Sequence, residues 1–81
     1  MELTVQLFAT LKDRVGQPTV TLRLNPQATV ADLLDELVRQ YPAMTPNLSS
    51  LIVSVNQNFA NRDTNIKKDD EIALFPPVSG G

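Results

Sequence analysis

Eighty-one residues, 42% of them hydrophobic, make one small domain with room for a sheet and a helix but not for a deep enzyme pocket. The chain has neither cysteine nor histidine, which excludes disulfides, thiolate nucleophiles, imidazole bases and most zinc or iron sites. The formal net charge is −2 and no basic run exceeds Lys67-Lys68, so neither nucleic acid nor an anionic membrane is an expected partner; with no signal-like or membrane-spanning stretch, the cytoplasm is the default location.

From Glu2 to Phe8 the residues alternate, with Leu3, Val5 and Leu7 on one face, the period of a half-buried strand that leaves Phe8 on the polar side. Ala9 to Val15 carries Leu11 and Val15 at helical spacing before Gly16, a short turn of helix. Thr19 to Leu24 alternates again through Val20, Leu22 and Leu24, and two such strands pair most simply as an antiparallel hairpin. Asn25-Pro26-Gln27-Ala28 is a turn. Thr29 then stands as a helix N-cap with Asp32 three residues on, and Val30, Leu33, Leu34, Leu37, Val38 and Tyr41 form one apolar stripe that Pro42 ends. Asp35 and Arg39 are placed for an i,i+4 ion pair. A single helix can bury its stripe only against the inner face of the sheet. Ala43 to Ser50 reads as a loop and Leu51 to Val55 as a strand. Asn56-Gln57-Asn58 is a turn, Phe59-Ala60 a minimal strand, Ile66 a plug, Lys67 to Asp70 a turn and Glu71 to Phe75 the last strand. The fold class is α+β, a mixed sheet of four to five strands with one main helix packed on one face. Residues 1–75 form the domain and residues 76–81 an extended tail.

Two features carry function. The first is the ending Phe75-Pro76-Pro77-Val78-Ser79-Gly80-Gly81. Its prolines hold the backbone extended, and its glycines, having no Cβ, can thread a channel too narrow for another residue. From Pro76 to Gly81 the reach is at most about 20 Å, and the group delivered is the Gly81 carboxylate. The second is the placement of the phenylalanines. Phe8 and Phe75 are out of phase with the core residues of their strands and Phe59 follows a turn with no helix to cover it, so the three mark a partner surface on the open face of the sheet. The charged run Lys67 to Glu71 is a solvated bend rather than an acid/base or metal cluster, although its acids are available to a basic groove on a partner. No metal site is expected. Ser79 has no base to activate it and reads as a small linker residue.

Together the Phe75 to Gly81 ending, the element order and the length resemble the MoaD family, the small sulfur-carrier subunit of molybdopterin synthase within the MoaD/ThiS superfamily. The likeness includes Leu7-Phe8-Ala9, Gly16, Val55-Asn56 and Asp70-Glu71-Ile72-Ala73-Leu74-Phe75. It implies the β-grasp, ubiquitin-like fold, with the first and last strands side by side and parallel. It also implies a chemistry in which the chain binds no cofactor of its own. A MoeB-like adenylating enzyme would use ATP and Mg to activate the Gly81 carboxylate, and a sulfur donor protein would displace AMP to leave a thiocarboxylate, a 1-thioglycine at Gly81. A MoaE-like large subunit, in an expected heterotetramer, would take the tail, Gly80 and Gly81 at its end, and pass the sulfur to a pterin precursor to build the dithiolene that holds molybdenum. The chain has no catalytic site of its own in this scheme. Phe8, Phe59, Phe75, Pro76, Pro77, Val78 and Ser79 match the family's partner contacts. The turns at Asn56-Gln57-Asn58 and Asp69-Asp70 lack glycines that many relatives have. Three alternatives stay open: a ThiS-like carrier for thiamine thiazole synthesis, a ubiquitin-like modifier joined to other proteins through Gly81, and an interaction module with an inert tail.

Overall fold

The computed structural model describes residues 1–77. Strand β1 (Glu2–Leu7) is followed by α1 (Thr10–Val15), β2 (Thr19–Arg23), α2 (Val30–Gln40), a 3₁₀ segment (Pro42–Ser50), β3 (Ile52–Val55), β4 (Asn58–Ala60) and β5 (Ile72–Phe75). The five strands form one sheet in the order β2-β1-β5-β3-β4. β1 and β2 are the expected antiparallel hairpin, with Leu3 opposite Leu22 and Val5 opposite Val20. The first and last strands lie side by side and parallel, with Val5, Gln6 and Leu7 opposite Ile72, Ala73 and Leu74.

Alternation decides which face of this sheet is dry. Leu3, Val5 and Leu7 of β1, Val20 and Leu22 of β2, Val53 of β3 and Ile72 and Leu74 of β5 are all buried, on the side that meets α2. The helix presents Val30, Leu33, Leu34 and Leu37 to them, with Val38 and Tyr41 partly buried at its margin. Each such side chain removed from water contributes about 1.5–3 kcal/mol before chain entropy is counted. The helix begins where its chemistry says it should. Thr29 Oγ1 accepts from the Asp32 backbone N–H at 3.4 Å, and an Asp32 carboxylate oxygen accepts from the Thr29 backbone N–H at 2.9 Å, a complete capping box. It ends at Pro42, which cannot continue the hydrogen-bond ladder.

The structure departs from the sequence reading in three places. Arg39 pairs with Glu36 rather than Asp35, donating through Nε at 2.8 Å and Nη2 at 2.5 Å. Glu36 lies one turn before Arg39 and offers both oxygens to its guanidinium fork. The Glu36 carboxyl is accordingly held down at about 2, chiefly by its bond from Arg39 and then by that from Gln40. The 43–50 loop is instead a run of 3₁₀ turns, and its Met44 is fully buried, a core residue that sits in no periodic pattern. Arg62 holds this segment down by donating to the carbonyl of Leu48 at 2.7 Å. Finally, β1 stops at Leu7, so Phe8 stands just past the strand at the corner leading into α1.

The polar turns join into one clamp. Asn56 donates its side-chain amide to Asp70 at 2.9 Å and accepts the Glu71 backbone N–H at 2.9 Å, while Asp70 accepts the Lys67 backbone N–H at 2.8 Å. The β3–β4 hairpin thereby grips the entry to β5. Asn56 and Gln57 form its two-residue loop with φ of 54° and 71°, and Asp69 has φ of 72°. Asparagine and aspartate tolerate this left-handed region through local hydrogen bonds, whereas glutamine has no such compensation. Gln57→Gly should therefore raise stability by about 0.5–1 kcal/mol, read as a higher chemical-denaturation midpoint at unchanged slope. An unchanged or lower midpoint would show that the turn carries no such strain.

Candidate docking face

The face of the sheet away from α2 is open, and its relief follows from the strand register. Gln6 lies opposite Ala73, Ala73 opposite Ser54 and Ser54 opposite Phe59, one row across β1, β5, β3 and β4. In the next row Ile52 lies opposite Phe75, and the Phe8 amide donates to the Leu74 carbonyl at 3.2 Å beside it. Large rings therefore stand at two ends with small side chains between them. The result is a hollow of about 380 Å³ floored by Ala73 and Ser54 and walled by Phe8 and Phe75 on one side and Phe59 on the other.

Phe8 and Phe75 are stacked, ring centroids 4.7 Å apart and planes 11° from parallel. Such pairs contribute about 0.5–1.5 kcal/mol beyond area burial. Even so, Phe8 remains 40% exposed, and Phe59 is 85% exposed with no apolar cover. Exposed rings grouped around a hollow are the kind of apolar patch that marks partner surfaces on proteins in general, which makes this face a candidate docking site. Its remaining edge is acidic. Glu71 lines the hollow, and with Glu2, Asp69 and Asp70 it borders a second, polar depression on the same flank.

The predicted site residues divide cleanly. Phe8, Phe59 and Phe75 surround one hollow, Pro76 is half-buried and Pro77 is exposed directly after β5. Val78, Ser79, Gly80 and Gly81 lie outside the described residues. The floor of the hollow is made by residues not predicted from the sequence. Ala73 and Ser54 are the small residues at outward positions of β5 and β3, and their signal was a short side chain where alternation calls for an outward one. Among the described residues, no group of three or more histidine, cysteine, aspartate or glutamate side chains is placed to hold a metal ion, and no helix is long and apolar enough to cross a membrane.

A five-stranded mixed sheet with parallel first and last strands and a single long helix across one face is the β-grasp, ubiquitin-like fold. The chain belongs to the ThiS family, a sulfur-carrier family of the MoaD/ThiS type, whose family model matches residues 5–81. Among its relatives, the molybdopterin synthase sulfur carrier subunit of Arabidopsis thaliana is 32% identical over all of this chain and 84% of its own length. Small archaeal modifier protein 1 of Haloferax volcanii is 37% identical, over 94% of this chain and 97% of its own. A crystal structure of SAMP1 from Haloferax volcanii superposes with a TM-score of 0.90 at 35% identity, covering 100% of both chains.

Because Phe59 is exposed, Phe59→Ser should change stability by no more than about 0.5 kcal/mol and yet weaken binding, measured by calorimetry, to a MoeB-like adenylating enzyme, the partner that the MoaD resemblance implies. Unaltered affinity would remove Phe59 from the docking face.

Proposed function

We propose that the protein is a sulfur carrier for molybdopterin synthesis whose reactive group is its own Gly81 carboxylate. The observation that carries this reading is the parallel pairing of β1 with β5, which sets the Phe8–Phe75 stack immediately before Pro76. A partner held on the aromatic hollow is held beside the start of the tail. The Phe-Pro-Pro-Val approach to the glycines and the whole-length similarity to molybdopterin synthase sulfur carrier subunits support that pathway over the thiamine one.

The chemistry asks little of this chain beyond its end and its face. A free carboxylate is a poor acylating group; transfer of AMP from ATP, with Mg, on a MoeB-like enzyme makes the Gly81 acyl-adenylate and releases pyrophosphate. Sulfur at the sulfide level from a donor protein attacks that carbonyl and expels AMP, leaving the thiocarboxylate. The same face then seats on a MoaE-like subunit, where the Gly81 thiocarboxylate sulfur bonds to a carbon of the pterin precursor, displacing an oxygen substituent there, and water hydrolyses the resulting thioester, leaving the sulfur on the pterin and returning Gly81 as a carboxylate. Binding at a distance from the reacting atom supplies the energy for orientation, so transfer becomes effectively intramolecular. Gly80 and Gly81 keep the tail thin enough to reach both active sites. The acids Glu71, Asp69 and Asp70 beside the hollow favour a partner surface carrying arginine or lysine around an apolar centre, and speed its approach.

A second reading, attachment of Gly81 to other proteins, is favoured by the similarity to small archaeal modifier protein 1. It uses the same adenylate and differs only in the nucleophile, a lysine amine in place of sulfur.

Deleting Gly80 and Gly81 should abolish sulfur transfer in a reconstituted synthase while leaving folding and partner affinity intact, and Gly81→Ala should impair activation or transfer with no change in melting temperature. Full activity of either variant contradicts the tail mechanism. Conjugates resolved on a denaturing gel, with no sulfur transfer, would decide for the modifier.

A further inference from the structure

Ala9, between Phe8 and the first residue of α1, has φ 53° and ψ −129°. That combination is neither right-handed helix, strand nor the left-handed helical well in which asparagine and aspartate find relief; it is a region that glycine enters freely and a Cβ resists. The other non-glycine residues with positive φ among the described residues differ from it. Asn56 and Asp69 are side chains suited to the left-handed region, and Asn56, Gln57 and Asp69 all lie in polar turns. Ala9 has no polar atom to offset its torsion, and it adjoins the docking face.

Its neighbours show what maintains it. On one side the Phe8 amide is tied to the Leu74 carbonyl of β5 at 3.2 Å, and the preceding Leu7 amide to the Pro18 carbonyl at 2.8 Å. On the other, the Leu11 amide donates to the Phe8 carbonyl at 3.1 Å, and the Leu11 side chain is fully buried. The chain must leave the sheet at Phe8 and place Leu11 in the core within three residues. The torsion at Ala9 makes that corner, and Phe8 is left with its ring over Phe75.

We infer that Ala9 is a positioning residue for the docking face: its constrained torsion locks the β1–α1 corner so that Phe8 stays stacked on Phe75. A glycine would relax the torsion but open neighbouring conformations to the corner, and the Phe8 ring would leave the stack for part of the time. Alanine holds fewer alternatives at the expense of strain, as strained residues at functional sites do. The inference deepens the docking reading by naming what presets one wall of the hollow. Its test uses this chain alone, so its failure is distinguishable from failure of the proposed function.

The experiment compares parent, Ala9→Gly and Ala9→Ser by thermal unfolding and by NMR of the two rings. Ala9→Gly should melt at or above the parent temperature, because relief of the torsion offsets the added freedom of the unfolded chain. It should also show weaker Phe8–Phe75 ring-to-ring Overhauser contacts and smaller ring-current shifts. Ala9→Ser, which keeps the Cβ, should retain the parent contacts. Undiminished ring contacts in Ala9→Gly would overturn the inference, since the stack would need no help from residue 9. So would a melting point lower by the several degrees that an ordinary alanine-to-glycine change costs a domain of this size, since the torsion would then hold no strain. Equal loss of the stack in both variants would likewise contradict it.

Discussion

The parallel seam between β1 and β5 is the contact on which the rest depends. It joins the two ends of the domain, Val5 to Leu7 against Ile72 to Leu74, and puts their inward side chains in the centre of the core under α2. Parallel neighbours need a crossover between them, and here everything from α1 to the 67–70 turn lies in that connection. The seam also has an outward consequence. Where β1 and β5 finish together, Phe8 and Phe75 meet, and the chain past Phe75 leaves from the edge of the aromatic hollow. A single register thus decides both what is buried and where the tail begins.

This arrangement suits a protein whose chemistry resides outside its folded body. Without histidine or cysteine, the chain has neither a thiol to carry sulfur nor an imidazole to act as base near neutral pH. In the proposed function its domain supplies recognition, and its end supplies the functional group. The clamp of Asn56 on Asp70 and Glu71 serves that division by anchoring the entry to β5, so the strand that leads to the tail is held at both ends of its short length. Carrier and modifier share this design because each needs an activated carboxylate presented beside a docking surface, and the fold does not choose between sulfur and an amine.

Much of this was legible in the residues because it is local. Alternation identified the buried faces of β1 and β2, and Thr29 with Asp32 announced the start of α2. The phase of Phe75 against β5 placed it on the open face, and the same count run one residue past β1 put Phe8 beside it. What escaped was set by tertiary contacts. The β1–β5 pairing joins segments with most of the chain between them, and only the resemblance to the MoaD family implied it. Met44 is buried because the 3₁₀ segment folds under α2, in a stretch of prolines and polar residues that shows no period. The choice of Glu36 over Asp35 by Arg39 is one that helical spacing leaves open, since both lie one turn before it. The torsion at Ala9 follows from where Phe8 and Leu11 must go, which alanine itself does not signal.

Sulfur carried on Gly81 would be read in the mass of the C-terminal peptide after incubation with a MoeB-like adenylating enzyme, ATP and a sulfur source. Cleavage after Lys68 releases Asp69 to Gly81, which contains no methionine, so oxidation of that residue cannot imitate exchange of oxygen for sulfur. The expected result is that exchange on this peptide, with the new thiocarboxylate sulfur captured by a thiol-alkylating reagent as an added mass. An unmodified peptide, under conditions that convert a known carrier, would contradict sulfur carriage on Gly81.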